Sequence, residues 1–351
     1  MNERKKIGVL VVDDSAFNRR NIAEIFASSD EAEVVGKASD GDEALRLVAQ
    51  LKPDVITLDL EMPRMDGFTF LRILMAKQPT PVIVVSSYSQ KENVFKALEL
   101  GAIDFVAKPE RQVAPEGADV RAELLEKVRL VRNLRRAGGE VRSVRPREPT
   151  PPGELVAGTP RLVVGVGSST GGPTALLEVF SKLSQRLPAA MLVAQHMPDK
   201  FTRTFAERLD KRGHFRVSEG QEGDLVTAQK GFVCPGRQCM EVVRAGNELK
   251  LRTGAPGSND RYVPSADRLF KSIASIASPS LAICGVVLTG MGDDGLAGAK
   301  AIRDAGGIVI AESEETAVVY GMPGVVVRAG LANEVLPLGK IADFLATIPL
   351  A

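Results

Sequence analysis

The feature that most constrains this chain is a rhythm: short β-branched runs alternate with helical patterns in two successive series. In the first series the spacing predicts strands at IGVLVV (7–12), EVVGKA (33–38), VITL (55–58), VIVVSS (82–87) and DFVAK (104–108). Helices are expected near 16–27, 41–50, 67–77 and 91–99, with a last one at 119–136 where Val120, Leu124, Val128, Val131 and Leu134 keep helical spacing. Parallel strands need crossover connections, so strand and helix alternating five times imply a parallel, doubly wound sheet.

The rhythm fails once. From Gly138 to Pro160, nine of 23 residues are Gly or Pro and no hydrophobic period survives, which reads as a linker. It follows a helix end rich in arginine (Arg129, Arg132, Arg135, Arg136), a solvated face favoured near a helix C-terminus. A second series then begins at Arg161. Strands are expected at 162–167, 191–195, 232–234, 281–290 and 307–311, a hairpin over 240–252 turning at Gly246-Asn247, and helices at 173–186, 200–211, 265–277, 295–304 and 339–347. The expected fold is α/β in two domains, 1–137 and 161–351, each built on a mostly parallel sheet.

Composition excludes several classes. The 45 Lys+Arg balance 44 Asp+Glu, so no global basic field points to nucleic acid. No apolar stretch is long enough for a bilayer, and the run in MNERKKIGVLVV is too short for a secretory h-region. Three cysteines, Cys234, Cys239 and Cys284, are odd in number and sparse, which fits a reducing compartment, the cytoplasm. There are only two histidines, His196 and His214, so imidazole chemistry must use one of them.

In the first series Asp13 and Asp14 follow the first strand and Asp59 the third. Strand ends of a doubly wound sheet converge on one crevice, and three carboxylates there repel one another unless a cation joins them. Hard oxygen ligands suit Mg²⁺, and a carboxylate beside such an ion can accept a phosphoryl group. Ser86, ending the fourth strand, and Lys108, just after the fifth, could hydrogen-bond and ion-pair with phosphoryl oxygens. Each residue alone could equally be a helix cap; five together, in this order, are not explained that way.

Residues 7–109, with VVDDS, DLEMPRMDG, VSS and KP, closely resemble two-component response-regulator receiver domains, a (βα)5 fold. The resemblance implies that Asp59 accepts phosphate from a histidine kinase. It also implies that Asp14, Asp59 and the Glu61 carbonyl ligate Mg²⁺ with Asp13 in support, and that Ser86 and Phe105 form the switch pair. Phe105 stands where many receivers carry Tyr.

In the second series VVGVGSSTGGP runs from a strand through a Gly-rich turn into a helix. Such a turn can cradle a pyrophosphate, but Gly165, Gly167 and Gly171 have an uncommon spacing and no ribose-binding acid ends the next strand. The same turn can lift a serine hydroxyl above the sheet with helix N-terminal N–H groups nearby. A hydroxyl needs a base, and His196 follows the next strand; Asp293 or Asp294, after a further strand, could orient it. His214, in KRGHFRV, reads as an exposed strand start.

Residues 161–348 resemble the catalytic domain of chemotaxis response regulator protein-glutamate methylesterases, the CheB family, through GSSTGGP, QHMPDKFTRTFAERL, PSADRLF, LTGMGDDG and VYGMPG. The resemblance implies Ser169 as nucleophile, His196 as general base and Asp294 as orienting acid. Thr170, Arg203 and Met291 would support oxyanion and substrate, with backbone N–H groups of Thr170 or Met291 as oxyanion donors. Where the family commonly has a His two residues after a Pro-Gly-x segment, PGRQCM places Cys239. The implied substrates are glutamate methyl esters, and receptor glutamines for deamidation, on the cytoplasmic helices of methyl-accepting chemoreceptors, with no nucleic acid, no membrane insertion and no cofactor for the esterase. The order of the domains suggests that the receiver covers the Ser169 edge until Asp59 is phosphorylated. Competing readings are a response regulator with a non-catalytic output and a nicotinamide-dependent oxidoreductase. The first lacks a DNA-reading helix pair or basic face, the second a ribose acid.

Overall fold

The computed structural model describes residues 6–87, 90–108, 114–136, 158–258 and 260–350, with the side chains of 114–119 and 132–136 outside that description. The chain divides into two units, Met1–Pro146 and Arg147–Ala351. The boundary falls inside the segment 138–160, most of which lies outside the described residues.

The first unit interleaves β1 (Ile7–Val12), α1 (Ala16–Ala27), β2 (Ala32–Ala38), α2 (Gly41–Leu51), β3 (Val55–Leu58), α3 (Gly67–Lys77), β4 (Val82–Ser86), α4 (Lys91–Glu99), β5 (Asp104–Ala107) and α5 (Ala114–Arg136). The strands form one parallel sheet in the order β2-β1-β3-β4-β5. β1, β3, β4 and β5 are buried along their whole length, because crossover helices cover both faces. Helix starts are fixed by side chains: Asp40 accepts from the Glu43 N–H at 2.9 Å while Glu43 reaches back to the Ser39 N–H at 2.8 Å. Asp66 accepts from the Thr69 N–H at 2.7 Å. α5 starts five residues earlier than its hydrophobic period suggests, since 114–118 carry a Pro and a Gly and hide the period.

The second unit contains β6 (Leu162–Ser168), α6 (Gly172–Lys182), β7 (Ala189–Gln195), α7 (Asp199–Asp210), β8 (Arg216–Glu219), β9 (Lys230–Val233), β10 (Cys239–Ala245) and β11 (Glu248–Gly254). Then follow α8 (Ala266–Ser275), β12 (Ala282–Val287), α9 (Leu296–Asp304), β13 (Ile308–Glu312), α10 (Met322–Arg328), β14 (Glu334–Leu336) and α11 (Leu338–Leu345). Seven strands make a parallel sheet, β14-β13-β12-β6-β7-β9-β8, and β10-β11 pair apart as an antiparallel hairpin. β6 has β7 on one side and β12 on the other, so the strand order reverses there. That switch point is where a doubly wound sheet opens a ligand crevice.

Gly165 and Gly167 let α8 lie close to β6. A methyl group at 165 would meet Ile273 at 2.6 Å and Phe270 at 2.8 Å, and one at 167 would meet Ala266 at 2.6 Å. These two glycines are occupied by helix–sheet packing, which removes the sequence basis for a pyrophosphate cradle.

Some elements differ from the sequence reading. β12 stops at Val287 rather than 290, because Thr289 turns its groups toward Glu312, Val319 and Thr170 instead of a strand partner. β8 and β14 are short edge strands with little alternation, and α10 carries a Val325–Val327 run that imitates a strand. His214 is half-buried and precedes β8 by two residues; it is neither exposed nor in the strand.

Candidate active site

The receiver-like unit gathers its acids at the C-terminal ends of β1 and β3. Carboxylate oxygens of Asp13, Asp14 and Asp59 lie within 4.8 Å of one another. Asp13 and Asp59 are buried, and Asp14 is exposed. Lys108, after β5, reaches Asp13 Oδ2 at 3.0 Å and also pairs with Asp59. Burial pushes the Asp59 carboxyl up and Lys108 pulls it down, with Asp13 repelling it; the balance lies above the ordinary value. Burial works against the Lys108 charge, but Asp59 and Asp13 outweigh it and hold the ammonium above its usual range. Among the described residues three carboxylates meet one ammonium, while the Arg19 guanidinium donates to the Asp13 and Asp14 backbone carbonyls, and this all-oxygen donor set with one exposed member fits a hydrated divalent cation.

The other sequence candidates sit around this cluster. The Glu61 N–H donates to Asp59 Oδ1 at 3.4 Å, which brings the loop after β3 over the acid. Ser86 is fully buried and its hydroxyl donates to Gln90 Oε1 at 2.7 Å. Phe105 is buried edge-on against Phe95, with ring centroids 6.3 Å apart, and Lys127 Nζ lies 5.5 Å from its ring.

In the second unit the three strands meeting at the switch point lead into Ser169 and His196, one residue beyond β6 and β7, and into Asp294, seven residues beyond β12. Gly171, with φ +79°, makes the tight turn from β6 into α6. Its neighbour leaves no room for a side chain, since a methyl group at 172 would stand 2.1 Å from Gln195 Oε1. The Ser169 N–H donates to the Thr289 carbonyl at 3.0 Å, and Gln195 Nε2 donates to the Ser169 and His196 carbonyls at 3.0 and 2.9 Å. Ser169 itself remains half-exposed.

His196 Nε2 and Asp294 Oδ2 are 2.8 Å apart. Asp294 is buried and also accepts the N–H groups of Ala266, Asp267 and Gly295 at 2.8, 2.9 and 3.0 Å. The first two belong to the N-terminal turn of α8, whose dipole favours an anion. Burial opposes the charge, but His196 and these N–H donors outweigh it, so the carboxyl is held below its ordinary value. With Nε2 committed to Asp294, Nδ1 is the ring nitrogen left to take a proton.

Of the supporting candidates, Thr170 is buried and its carbonyl accepts from Thr289 Oγ1 at 2.8 Å. Met291 follows Gly290, which is pressed so close to Ser169 that a methyl group there would come within 2.8 Å of Ser169 Cβ. Arg203 is exposed on α7 and pairs with Glu207 on its own helix at 3.4 Å. Cys239 is buried, its thiol 3.7 Å from Asp260 Oδ2, which is itself bonded to Arg268 at 2.9 Å.

Sequence reasoning missed four contributors. Glu312, fully buried at the end of β13, accepts from the Thr289 N–H at 2.8 Å and the Thr316 hydroxyl at 3.0 Å. Thr289 and Gln195 then pass that support to the Ser169 turn, and Tyr262 stacks on the His196 ring. Three of the four, Glu312, Thr289 and Gln195, are polar residues closing otherwise apolar runs, a signal that the sequence did contain.

Fold and sites define a signalling enzyme in which a receiver-type domain precedes a hydrolase-type one. Residues 9–114 match the response regulator receiver domain and residues 164–345 match the CheB methylesterase family. A Myxococcus xanthus protein named protein-glutamate methylesterase/protein-glutamine glutaminase 1 is 49% identical over 348 residues, spanning 99% of each chain. A Geobacter sulfurreducens protein-glutamate methylesterase/protein-glutamine glutaminase 3 is 45% identical over 96% of each. The solved Thermotoga maritima CheB methylesterase catalytic domain, 35% identical, superposes with a TM-score of 0.51 over 53% of this chain and 98% of its own. The chain belongs to the CheB methylesterase family and carries its receiver domain.

Proposed function

We propose that this enzyme hydrolyses glutamate γ-methyl esters on the cytoplasmic helices of chemoreceptors, deamidates receptor glutamines at the same site, and is switched on by phosphorylation of Asp59. The observation that carries the esterase half is the 2.8 Å bond between His196 Nε2 and a buried, ionised Asp294 beside the Ser169 turn. Ser169 Oγ attacks the ester carbonyl while His196 Nδ1 takes its proton; Asp294 stabilises the resulting imidazolium. The C–O bond to methanol breaks as His196 returns that proton, and water then hydrolyses the acyl-enzyme by the same route. Backbone N–H groups at Thr170 or Met291 would face the developing oxyanion, and Arg203 would meet the receptor.

Control lies in the other domain. Asp59 attacks the phosphorus of a kinase phosphohistidine, the N–P bond breaks, and an aspartyl phosphate forms. Asp13, Asp14, Asp59 and the Glu61 carbonyl would hold Mg²⁺, which neutralises phosphoryl oxygens when bound. Lys108, Ser86 and Phe105 would read the new phosphate. The receiver restrains the hydrolase until then, and removal of residues 1–140 should raise basal turnover. No helix among the described residues is long and apolar enough to cross a membrane; with balanced charge and reduced cysteines, the cytoplasm is the proposed site of action. Mass spectrometry of a co-expressed methylated receptor tests the whole reading. Glutamates should lose one methylene mass each with the wild-type chain and none with Ser169→Ala.

A further inference from the structure

The imidazole of His196 is held by more than its hydrogen bond. The ring of Tyr262 lies flat against it, with centroids 5.2 Å apart and planes inclined by 7°. The Tyr262 hydroxyl donates to Asp293 Oδ1 at 2.9 Å, and Asp293 pairs with Arg261 at 3.3 Å. Burial and the Asp293 carboxylate both push the phenol above its ordinary value, so the hydroxyl stays protonated as the donor. Gly292, at φ +88°, is the residue this arrangement requires: a methyl group there would stand 2.4 Å from Tyr262 Oη.

Two adjacent acids on one loop therefore act on two sides of the same imidazole. Asp294 binds its edge through Nε2. Asp293 anchors the tyrosine that covers its face. The Cβ–Cγ bond and one hydrogen bond hold the ring at two points and leave it free to tilt; a flat aromatic neighbour limits that tilt. Within about 6 Å, an aromatic face also attracts a cation, so the ring favours the imidazolium that forms when the serine proton arrives.

We propose that Tyr262, tethered by Asp293, is a positioning residue that limits the tilt of the His196 imidazole, so that the ring stays bonded to Asp294 through Nε2 with Nδ1 left to take the serine proton. This rests on the reading of His196 as general base. It gives the Asp293-Asp294 pair a division of labour and predicts effects on turnover without effects on substrate capture.

The test uses the purified full-length protein and p-nitrophenyl acetate, with kcat and KM measured for Tyr262→Leu, Tyr262→Phe and Asp293→Asn. Tyr262→Leu should lower kcat about tenfold and leave KM within about twofold. Tyr262→Phe keeps the ring but loses the tether, and Asp293→Asn keeps the ring and weakens the tether, so each should lower kcat only a few-fold, clearly less than Tyr262→Leu. A wild-type kcat in Tyr262→Leu, or a loss confined to KM, overturns the proposal. So does a Tyr262→Phe enzyme as slow as Tyr262→Leu. If the Leu variant does not fold, a wild-type kcat in both Tyr262→Phe and Asp293→Asn overturns it equally. His196→Ala is assayed alongside: activity there removes the general-base reading itself, while an inactive His196→Ala with an unimpaired Tyr262→Leu removes only the role given to Tyr262.

Discussion

The two domains bury carboxylates at equivalent places, beyond the C-terminal ends of parallel strands, and treat them in opposite ways. Around Asp59, among the described residues, three carboxylates meet the one ammonium of Lys108 and carry an excess of negative charge. Around Asp294 one acid collects three backbone N–H groups and an imidazole, so its charge is satisfied from within the fold. An unsatisfied cluster is suited to taking in an ion and a charged group from solution. A satisfied acid is suited to staying as it is through each turnover and holding something else in place.

The largest effect should come from the serine site. Ser169→Ala is expected to lower ester hydrolysis by roughly 10⁴- to 10⁶-fold and to abolish labelling by a fluorophosphonate probe. Wild-type turnover in this variant would end the comparison, since no nucleophile would remain for Asp294 to serve. Asp294→Asn keeps the shape but removes the charge that the imidazolium needs, and about a 10⁴-fold loss in kcat is expected. A loss mainly in KM would mean instead that Asp294 shapes the substrate site.

A chelator sharpens the contrast from the other side. EDTA should eliminate phosphodonor stimulation while basal hydrolysis by the unphosphorylated chain stays unchanged, because of the two sites it is the Asp13-Asp14-Asp59 pocket that lacks internal compensation. Asp59→Ala should likewise be deaf to phosphodonor with basal turnover intact. If chelation also stopped basal hydrolysis, the serine site would not be self-sufficient.

This contrast also explains what could be read in the sequence. Charge excess is visible residue by residue: three acids at strand ends in a parallel fold point to a cation through residue type and order alone. The strands themselves were legible because apolar runs such as IGVLVV and VITL are buried on both faces. Internal satisfaction is not visible in that way. It depends on α8 presenting the Ala266 and Asp267 N–H groups to Asp294, and on Tyr262 reaching a histidine 66 positions earlier in the chain. Residue types alone left Asp293 and Asp294 as alternatives, and the structure gives each its own partner. Short edge strands such as β14 escaped because three residues carry no period.

Glu312 offers a third treatment of a buried carboxylate and the smallest expected effect. Among the described residues it has no cationic partner to set against its burial, which pushes its carboxyl from the ordinary 4.5 up to about 7 despite the Thr289 and Thr316 donors. The folded chain thus holds this proton where the unfolded chain has released it. Between pH 4.5 and about 7 the folded state binds more protons, so stability from this group falls as pH rises and the loss is complete above about 7. Its full size is at most roughly 3 kcal/mol. Gln at this position stays neutral at every pH and can still accept the Thr289 N–H. Glu312→Gln should therefore flatten that part of the pH dependence of the second domain's calorimetric transition, and raise its midpoint above the wild type at pH 8. Equal slopes in the two proteins would show that the Ser169 turn rests on a carboxylate whose charge is already accommodated, as at Asp294, rather than on one that gives up its charge to be buried.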